Sequence, residues 1–170
     1  MPLVEWSLYA DRPILEVVLA LAAGGSDLPR RLVADTGAGS RRDVFELILD
    51  EDDCLQCGGV PIHQVRLSGA YRGLFPVYLV DVRIPALSFD DSVPVVGVSS
   101  VPRDFDGIAC FKFLRRFSYG NFGNPDGFSA RISRPRRRMS SRSPSTKRRT
   151  SATRAFSSGV SRRSDRLAMR

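Results

Sequence analysis

The sequence predicts an all-β, barrel-like domain that contains one or two short helices and is followed by a basic tail. Short runs of β-branched and aliphatic residues recur along the first 130 residues, and glycine, proline, asparagine and aspartate separate them. Short strands separated by turn residues are typical of β-sandwiches and β-barrels. About 130 residues are enough to bury one ordinary hydrophobic core.

The charge of the chain changes abruptly near residue 130. Residues 1–130 contain 12 Lys+Arg and 17 Asp+Glu, whereas residues 131–170 contain 14 Lys+Arg and a single acid, Asp165. Serine, threonine and arginine dominate the second segment, which has too few large apolar residues to offset the entropy lost on ordering. We therefore predict a globular domain over 1–130 and a disordered Arg/Ser-rich tail over 131–170. Two origins of the tail stay open, a native segment and a shifted reading frame.

The first elements lead to a conspicuous aspartate. Residues 14–21 are aliphatic and β-branched and predict a strand, the glycines at 24–25 predict a turn, and residues 30–34 predict a second strand that ends at Asp35. Ser40 followed by Asp43 has the form of a capping box, and apolar residues follow at helical spacing, which predicts a helix over 41–49.

The later elements include a hairpin with a glycine at its tip. Strands are predicted on both sides of the turn at 68–73, and two more strands and a short helix follow. The predicted ranges are strands 62–67, 74–80, 82–89 and 93–98 and a helix over 111–116. Residues 119–126 form a predicted closing turn, after which the basic tail replaces the expected last strand.

The triplet Asp35-Thr36-Gly37 carries the chemistry. Two facing carboxylates that share one proton can activate a water on one side and protonate a carbonyl oxygen on the other, because charges so close cannot both ionise. The threonine can hydrogen-bond across the pair, and the glycine lets the chain turn tightly behind the acid. Since the chain contains one such triplet, a second copy of the chain would have to supply the second carboxylate.

Residues around this triplet resemble the retropepsin-like aspartic proteases, including their single-lobe bacterial members. An apolar strand precedes the triplet, Ala38-Gly39-Ser40 follows it, and the hairpin around Gly69 comes some thirty residues later. Asp106-Gly107-Ile108 then precedes an aromatic-leucine pair, Phe113-Leu114. The resemblance covers roughly residues 12–128.

The resemblance implies a small closed β-barrel of the retropepsin type and a homodimeric aspartic endopeptidase, a hydrolase that cleaves peptides or proteins. Asp35 would be the catalytic acid. The other implied site residues are Thr36, Gly37 and Ala38 as support of the catalytic loop, Gly69, Ala70 and Tyr71 as the substrate-binding flap, and Ile108, Ala109 and Cys110 as packing behind the acid. Cys110 stands where the family has glycine, so its thiol is expected to crowd the Asp35 loop and to weaken catalysis.

The cysteines do not indicate a disulfide framework or a metal site. Three cysteines in a chain of this size are typical of a reducing, cytoplasmic setting. Cys54 and Cys57, with His63 nearby, suggest zinc, but a structural zinc site needs four ligands, and only the distant Cys110 could complete it. The acidic run at 50–53 lacks the alternating ligands of a calcium loop. We predict free thiols, no metal and no cofactor.

Charge and hydropathy limit the remaining partners. No apolar run approaches the ~20 residues of a membrane span, and Glu5, Asp11 and Glu16 argue against a signal peptide at the N-terminus. The tail could bind polyanions nonspecifically through phosphate contacts. Two alternatives to the protease therefore stay open: a catalytically weak or inactive retropepsin-fold module for peptide binding or dimerisation, and a nucleic-acid-associated protein that acts through its tail.

Overall fold

A computed structural model describes residues 3–22, 24, 26–101 and 104–132. These residues form ten β-strands and two short α-helices. In chain order they are β1 (Val4–Ser7), β2 (Ile14–Leu19), β3 (Leu28–Asp35), β4 (Leu47–Asp50), α1 (Glu51–Gln56), β5 (His63–Leu67), β6 (Gly73–Ile84), β7 (Phe89–Val98), β8 (Gly107–Cys110), α2 (Phe111–Leu114), β9 (Phe117–Gly120) and β10 (Gly127–Ile132).

Six of the strands close into a barrel, which confirms the predicted fold class. They follow the order β2-β3-β8-β4-β7-β6, and β2 pairs with β6 at Val18–Arg83 and Leu19–Val82 to complete the circle. The β3–β8 and β4–β7 pairs are parallel, and the other pairs are antiparallel. β5 pairs only with β6 among the described strands, so it lies outside the six-stranded barrel and forms a hairpin with the first part of β6.

Buried and exposed residues alternate along the strands, and the buried ones form the main hydrophobic core inside the barrel. Leu15, Val17 and Leu19 of β2 are buried in it, whereas Glu16 is exposed. This period of two follows from the opposite directions of successive side chains in a strand. β4 departs from it, because Leu47, Ile48 and Leu49 are all buried. β4 lies between β8 and β7, and a second hydrophobic cluster that includes Ile48 covers its outer face.

A second hydrophobic cluster, called here the outer cluster, lies on the outer face of the barrel wall. Its buried members are Phe45, Ile48, Val77, Val96, Val98 and Cys110. Partly buried residues of the hairpin pack against it, namely Val65, Leu67, Tyr71 and Phe75, together with Ala38, Val101 and Ile108. The β5–β6 hairpin therefore folds over the wall formed by β8, β4 and β7.

The first and last described strands lie in a separate three-stranded sheet of order β1-β10-β9, called here the terminal sheet. β10 pairs with β1 from Val4–Ala130 to Ser7–Gly127 and with β9 from Ser129–Gly120 to Ile132–Phe117. The expectation that the tail replaces the last strand is therefore wrong. β10 also continues two residues past the predicted boundary at 130, because Ile132 is still paired.

Three predicted elements differ from the structure. The helix predicted over 41–49 is wrong: residues 41–46 form turns and bends, and β4 follows. The helix begins later, where the side chain of Asp50 accepts a hydrogen bond from the Asp52 N–H and caps α1. The strands predicted over 74–80 and 82–89 are one strand, β6, which ends at Ile84 before a 3-10 turn at Pro85–Leu87.

The other predicted strands and helices are confirmed within a few residues of their ends. Strands predicted over 14–21, 30–34, 62–67 and 93–98 correspond to β2, β3, β5 and β7, and the helix predicted over 111–116 corresponds to α2. Among the described residues no helix has the length and apolar character to cross a membrane. The predicted tail falls almost entirely on residues 133–170, which lie outside the described part of the chain.

Candidate functional site

Asp35 is the last residue of β3, and its side chain points away from the main core. Leu32 and Ala34 of the same strand are buried in that core, so alternation directs Val33 and Asp35 to the outer face of the barrel. The side chain of Asp35 is half-buried. Strand pairing on both sides fixes the backbone before it, since β3 lies between β2 and β8. The structure thus presents a carboxylate at the end of a rigid strand.

The loop after Asp35 turns back onto its own carboxylate. The Gly37 N–H donates to Asp35 Oδ1 at 2.8 Å, and the Ala38 N–H donates to the Asp35 carbonyl oxygen at 3.2 Å. The Ala38 carbonyl in turn accepts from the Phe111 N–H at 2.9 Å, which ties the loop to the start of α2. Thr36 is exposed. These bonds orient one oxygen of the carboxylate and leave the threonine side chain accessible.

The three residues predicted to pack behind the acid lie on β8, directly beside β3. Ala109 is opposite Ala34 and is fully buried in the main core. Ile108 and Cys110 face outward with Asp35 and belong to the outer cluster. The structure therefore brings Cys110 next to Asp35, with Ala109 on the other side of the wall.

Cys110 fits this position without a glycine-like backbone. Its φ of −78° and ψ of 164° are ordinary extended values. Gly39 faces it across the loop, where an added Cβ would lie 3.6 Å from the Cys110 Cβ. Burial, and then the nearby charge of Asp35, raise the pKa of the Cys110 thiol to about 12. The thiol is therefore neutral at neutral pH and adds no charge beside the carboxylate.

In β8 the position at which neighbouring atoms come too close for a side chain is Gly107, not residue 110. A Cβ at Gly107 would lie 2.5 Å from the Ile48 carbonyl oxygen and 2.5 Å from Leu49 Cδ2. Real Cβ atoms are not found that close to backbone, so a side chain at 107 would force β8 away from β4. The resemblance had led us to expect this requirement at position 110.

The predicted flap residues lie at the tip of the β5–β6 hairpin. Gly69 has φ of +85°, a region that favours glycine, and Ala70 is exposed. Tyr71 differs from them, because it is half-buried and packs against the outer cluster that also contains Cys110 and contacts Ala38. The hairpin tip and the Asp35 loop thus both contact the outer cluster, which is called the apolar floor from here on.

A polar brace that was not predicted from the sequence holds the far end of the Asp35 loop. Lys112 of α2 donates to the Asp43 carbonyl at 2.9 Å. Arg116 donates to both carboxylate oxygens of Glu46, at 2.6 and 2.9 Å, and Glu46 is only 5% exposed. Residues 46 and 116 are 70 positions apart, so no local pattern could have indicated this pair.

The thiols show no metal site. All three cysteines are free, with Cys54 and Cys110 buried and Cys57 half-buried. Within the described residues no group of three or more histidine, cysteine or acidic side chains could hold an ion. Cys54 and Cys57 lie at the C-terminal end of α1, and burial raises the pKa of both thiols.

A large groove lies apart from these residues. It has a volume of about 700 Å³ and contains none of the predicted site residues. Its lining includes Trp6, Glu16, Arg31, Pro85 and Asp106. Asp35 differs from the groove residues because its carboxylate is oriented by the Gly37 N–H and adjoins the apolar floor beneath the hairpin.

The assembled site contains an oriented, half-exposed carboxylate, a tight glycine loop, an apolar floor and a hairpin that packs on that floor. Comparison with known proteins adds no relative: no protein-family profile, curated protein or solved structure matches the chain.

Proposed function

We propose that the chain is an aspartic endopeptidase that acts as a homodimer, with one Asp35 carboxylate from each copy. The observation that carries the proposal is the position of Asp35, at the end of a barrel strand and beside the floor beneath the hairpin. A peptide bound against the exposed residues of the Asp35 loop, such as Thr36, would pass the carboxylate. No metal or cofactor is needed for the reaction described below.

The two Asp35 carboxylates would share one proton, because two like charges in close contact do not ionise together. The ionised member takes a proton from water while the water oxygen attacks the peptide carbonyl carbon, and the protonated member gives its proton to the carbonyl oxygen. One hydroxyl of the resulting diol gives its proton to the Asp35 that is now ionised as the C–N bond breaks. The nitrogen takes the proton of the other Asp35 and leaves as an amine. Gly37 keeps its Asp35 oriented through the 2.8 Å hydrogen bond.

Two features favour pairing of copies of the chain. Thr36 is exposed beside the acid, where it can reach a partner loop. β1 is the edge of the terminal sheet, and among the described strands its outer edge is unpaired. Edge strands of this kind are templates for pairing with another chain.

The Asp35→Asn variant tests the proposal. The amide has nearly the shape of the carboxylate but cannot share a proton, so we expect cleavage of a quenched-fluorescent peptide library to be lost while folding and sedimentation stay unchanged. Asp90→Asn, at an exposed position on β7, is the matched control and should retain activity. Cleavage by purified Asp35→Asn protein at the wild-type rate would refute the assignment.

A mixing experiment tests the shared dyad. Excess Asp35→Asn protein should capture wild-type copies in mixed dimers and lower the activity of a fixed amount of wild-type protein. An unchanged activity would contradict a dyad made from two copies. If wild-type protein binds peptides but never cleaves them, the non-catalytic peptide-binding alternative is correct.

A further inference from the structure

The groove of about 700 Å³ is lined by β1, β2 and β3 and has an extended apolar wall. Trp6 of β1, Val18 of β2 and Pro29 of β3 contribute to this wall, and Ile84 and Pro85 continue it from the end of β6. The volume lies within the range of sites that hold small ligands. The wall therefore offers space for apolar groups of a small molecule.

A smaller cavity of about 350 Å³ adjoins the groove at its charged residues. The two cavities have Glu5, Trp6, Glu16 and Arg31 in common. Tyr9 lines the smaller cavity, and the guanidinium of Arg31 lies over its ring, 5.2 Å from the ring centroid. An apolar space that ends at charged side chains suits a ligand with an apolar part and a charged part.

Three of the charged side chains along the groove already have partners within the protein. Arg30 donates to both carboxylate oxygens of Asp53 at 2.6 Å. Asp106 accepts a hydrogen bond from a backbone N–H of β3 at 2.8 Å. Glu5 accepts one from the side-chain amide of Asn124. These three side chains are therefore held by bonds inside the chain.

The two remaining charged side chains, Glu16 and Arg31, lie opposite each other without forming an ion pair. They are direct partners in the antiparallel pairing of β2 and β3, and both are exposed. Opposite charges at such positions attract each other. Among the described residues, however, neither side chain takes part in an ion pair, and Arg31 lies over Tyr9 instead. One carboxylate and one guanidinium are thus open to a ligand beside the apolar wall.

We propose that the groove binds an apolar dipeptide through both of its free termini. The ammonium group pairs with Glu16, the carboxylate pairs with Arg31, and the side chains lie against the wall that includes Trp6 and Ile84. A guanidinium can bind a carboxylate through two parallel N–H bonds. A ligand with a single charge is repelled by one of the two residues, whereas a zwitterion is attracted by both. The inference does not rest on the proposed function, because Asp35 lines neither cavity.

Chemical variants of one dipeptide test the two charges without altering the protein. The probe is leucyl-phenylalanine, and isothermal titration calorimetry with the full chain gives its Kd. Acetylation removes the ammonium charge, and amidation removes the carboxylate charge. Each change should raise Kd about 5- to 30-fold, between the effect of an exposed ion pair and that of a charged hydrogen bond. The proposal is overturned if the parent dipeptide does not bind or if either blocked form binds as tightly.

Substitutions at the two residues should change which terminus the protein needs. Glu16→Gln should bind the free and the acetylated dipeptide equally, and Arg31→Gln should bind the free and the amidated dipeptide equally. Both side chains are exposed, so the fold should stay intact, as circular dichroism can verify. Arg66→Gln, at an exposed position on β5 outside the groove, is the matched control and should leave Kd within about twofold of wild type. A Glu16→Gln protein that prefers the free dipeptide by the wild-type factor would contradict the assignment.

Two further measurements locate the ligand. Trp6 is the one tryptophan of the sequence, so its fluorescence should change during the titration and give the Kd found by calorimetry. Asp35→Asn protein should bind the dipeptide with the wild-type Kd. An unchanged Trp6 emission, or loss of binding in Asp35→Asn protein, would place the dipeptide outside the groove and overturn the proposal. A wild-type protein that binds the dipeptide as expected but cleaves nothing would refute the proposed protease and leave the groove site intact.

Discussion

Cys110 is the direct neighbour of Asp35 in the parallel pairing of β3 and β8. Both side chains leave the outer face of the barrel, while Ala34 and Ala109 occupy the main core behind them. The thiol is 1% exposed and neutral, so it acts as a small apolar side chain under the Asp35 loop. The buried thiol fills space that the loop packs against, and the expected weakening of catalysis by Cys110 stays a prediction.

Replacing Cys110 by glycine should destabilise the protein. The change removes a buried side chain and adds backbone freedom at a position with ordinary extended φ and ψ, so the free energy of unfolding should fall by about 1–3 kcal/mol. Urea unfolding measures the loss, and Cys110→Ala should show a smaller one. A glycine variant that is more stable or cleaves faster than wild type would mean that the thiol crowds the Asp35 loop, as the sequence suggested.

Alkaline pH should weaken the fold through its buried thiols. Burial raises the pKa of Cys54 and of Cys110 from 9.0 to about 12. The unfolded chain loses these protons from about pH 9, whereas the folded chain keeps them until about pH 12, so their contribution is complete below pH 9 and is lost as the pH rises toward 12. In that interval, ionisation of each thiol in the unfolded chain should lower the free energy of unfolding by about 1.4 kcal/mol per pH unit.

The Cys54→Ala variant isolates one of these thiols. At pH 8 it should be less stable than wild type, because it loses buried side-chain volume. The difference in free energy of unfolding should then narrow between pH 9 and pH 11, as measured by urea unfolding. A constant difference across this range would show that the Cys54 thiol ionises as readily in the folded protein as in the unfolded chain.

Breaking the ion pair between Glu46 and Arg116 should destabilise the protein. Arg116→Gln leaves a carboxylate that is 5% exposed without its bidentate partner, and Lys112 remains 3.9 Å from Glu46 Oε1. We expect the free energy of unfolding to fall by about 3 kcal/mol, the low end for removing one partner of a buried ion pair.

A surface pair supplies the control for that prediction. Arg83 and Asp27 form an ion pair with side chains 34% and 47% exposed, so Arg83→Gln should cost less than about 1 kcal/mol. Urea unfolding of both variants gives the comparison. Equal losses would mean that Glu46 reaches solvent or another partner once Arg116 is gone.

The elements that the sequence predicted are those whose signal is local. The strands at 14–21 and 62–67 are confirmed because alternation and flanking turn residues specify them without reference to the rest of the chain. The carboxylate end of β3 followed from the same kind of signal. What the sequence could not supply was the covering of the outer face by the hairpin, which depends on contacts between residues far apart in the chain.

The failed helix shows how tertiary pairing overrides a local signal. The predicted capping interaction forms, since the Ser40 N–H donates to Asp43 Oδ2 and the Arg42 N–H donates to Ser40 Oγ. The chain nevertheless extends at Leu47–Asp50, because β7 and β8 offer hydrogen-bonding edges on both sides and apolar layers on both faces. A helix there would have left those edges unpaired.

The last strand gives the sharpest test of where the domain ends. β10 is the central strand of the terminal sheet. Among the described strands, β1 pairs with β10 alone. It also buries Phe128, which is 6% exposed and stacks on Trp6 at 6.2 Å between ring centroids. A chain that ends at residue 126 would lose this ring and would expose Trp6.

Two truncated chains should therefore behave differently. Residues 1–126 should lose the cooperative thermal transition or melt more than about 10 °C below the full chain, because losing one buried phenylalanine alone typically costs about 3–5 kcal/mol. Residues 1–135 keep all of β10 and should melt within about 3 °C of the full chain by circular dichroism. If residues 1–135 melted far below the full chain, residues 136–170 would contribute to stability and the predicted boundary near residue 130 would be wrong. If residues 1–126 melted with the full chain, β10 would be dispensable and the terminal sheet would not contribute to stability.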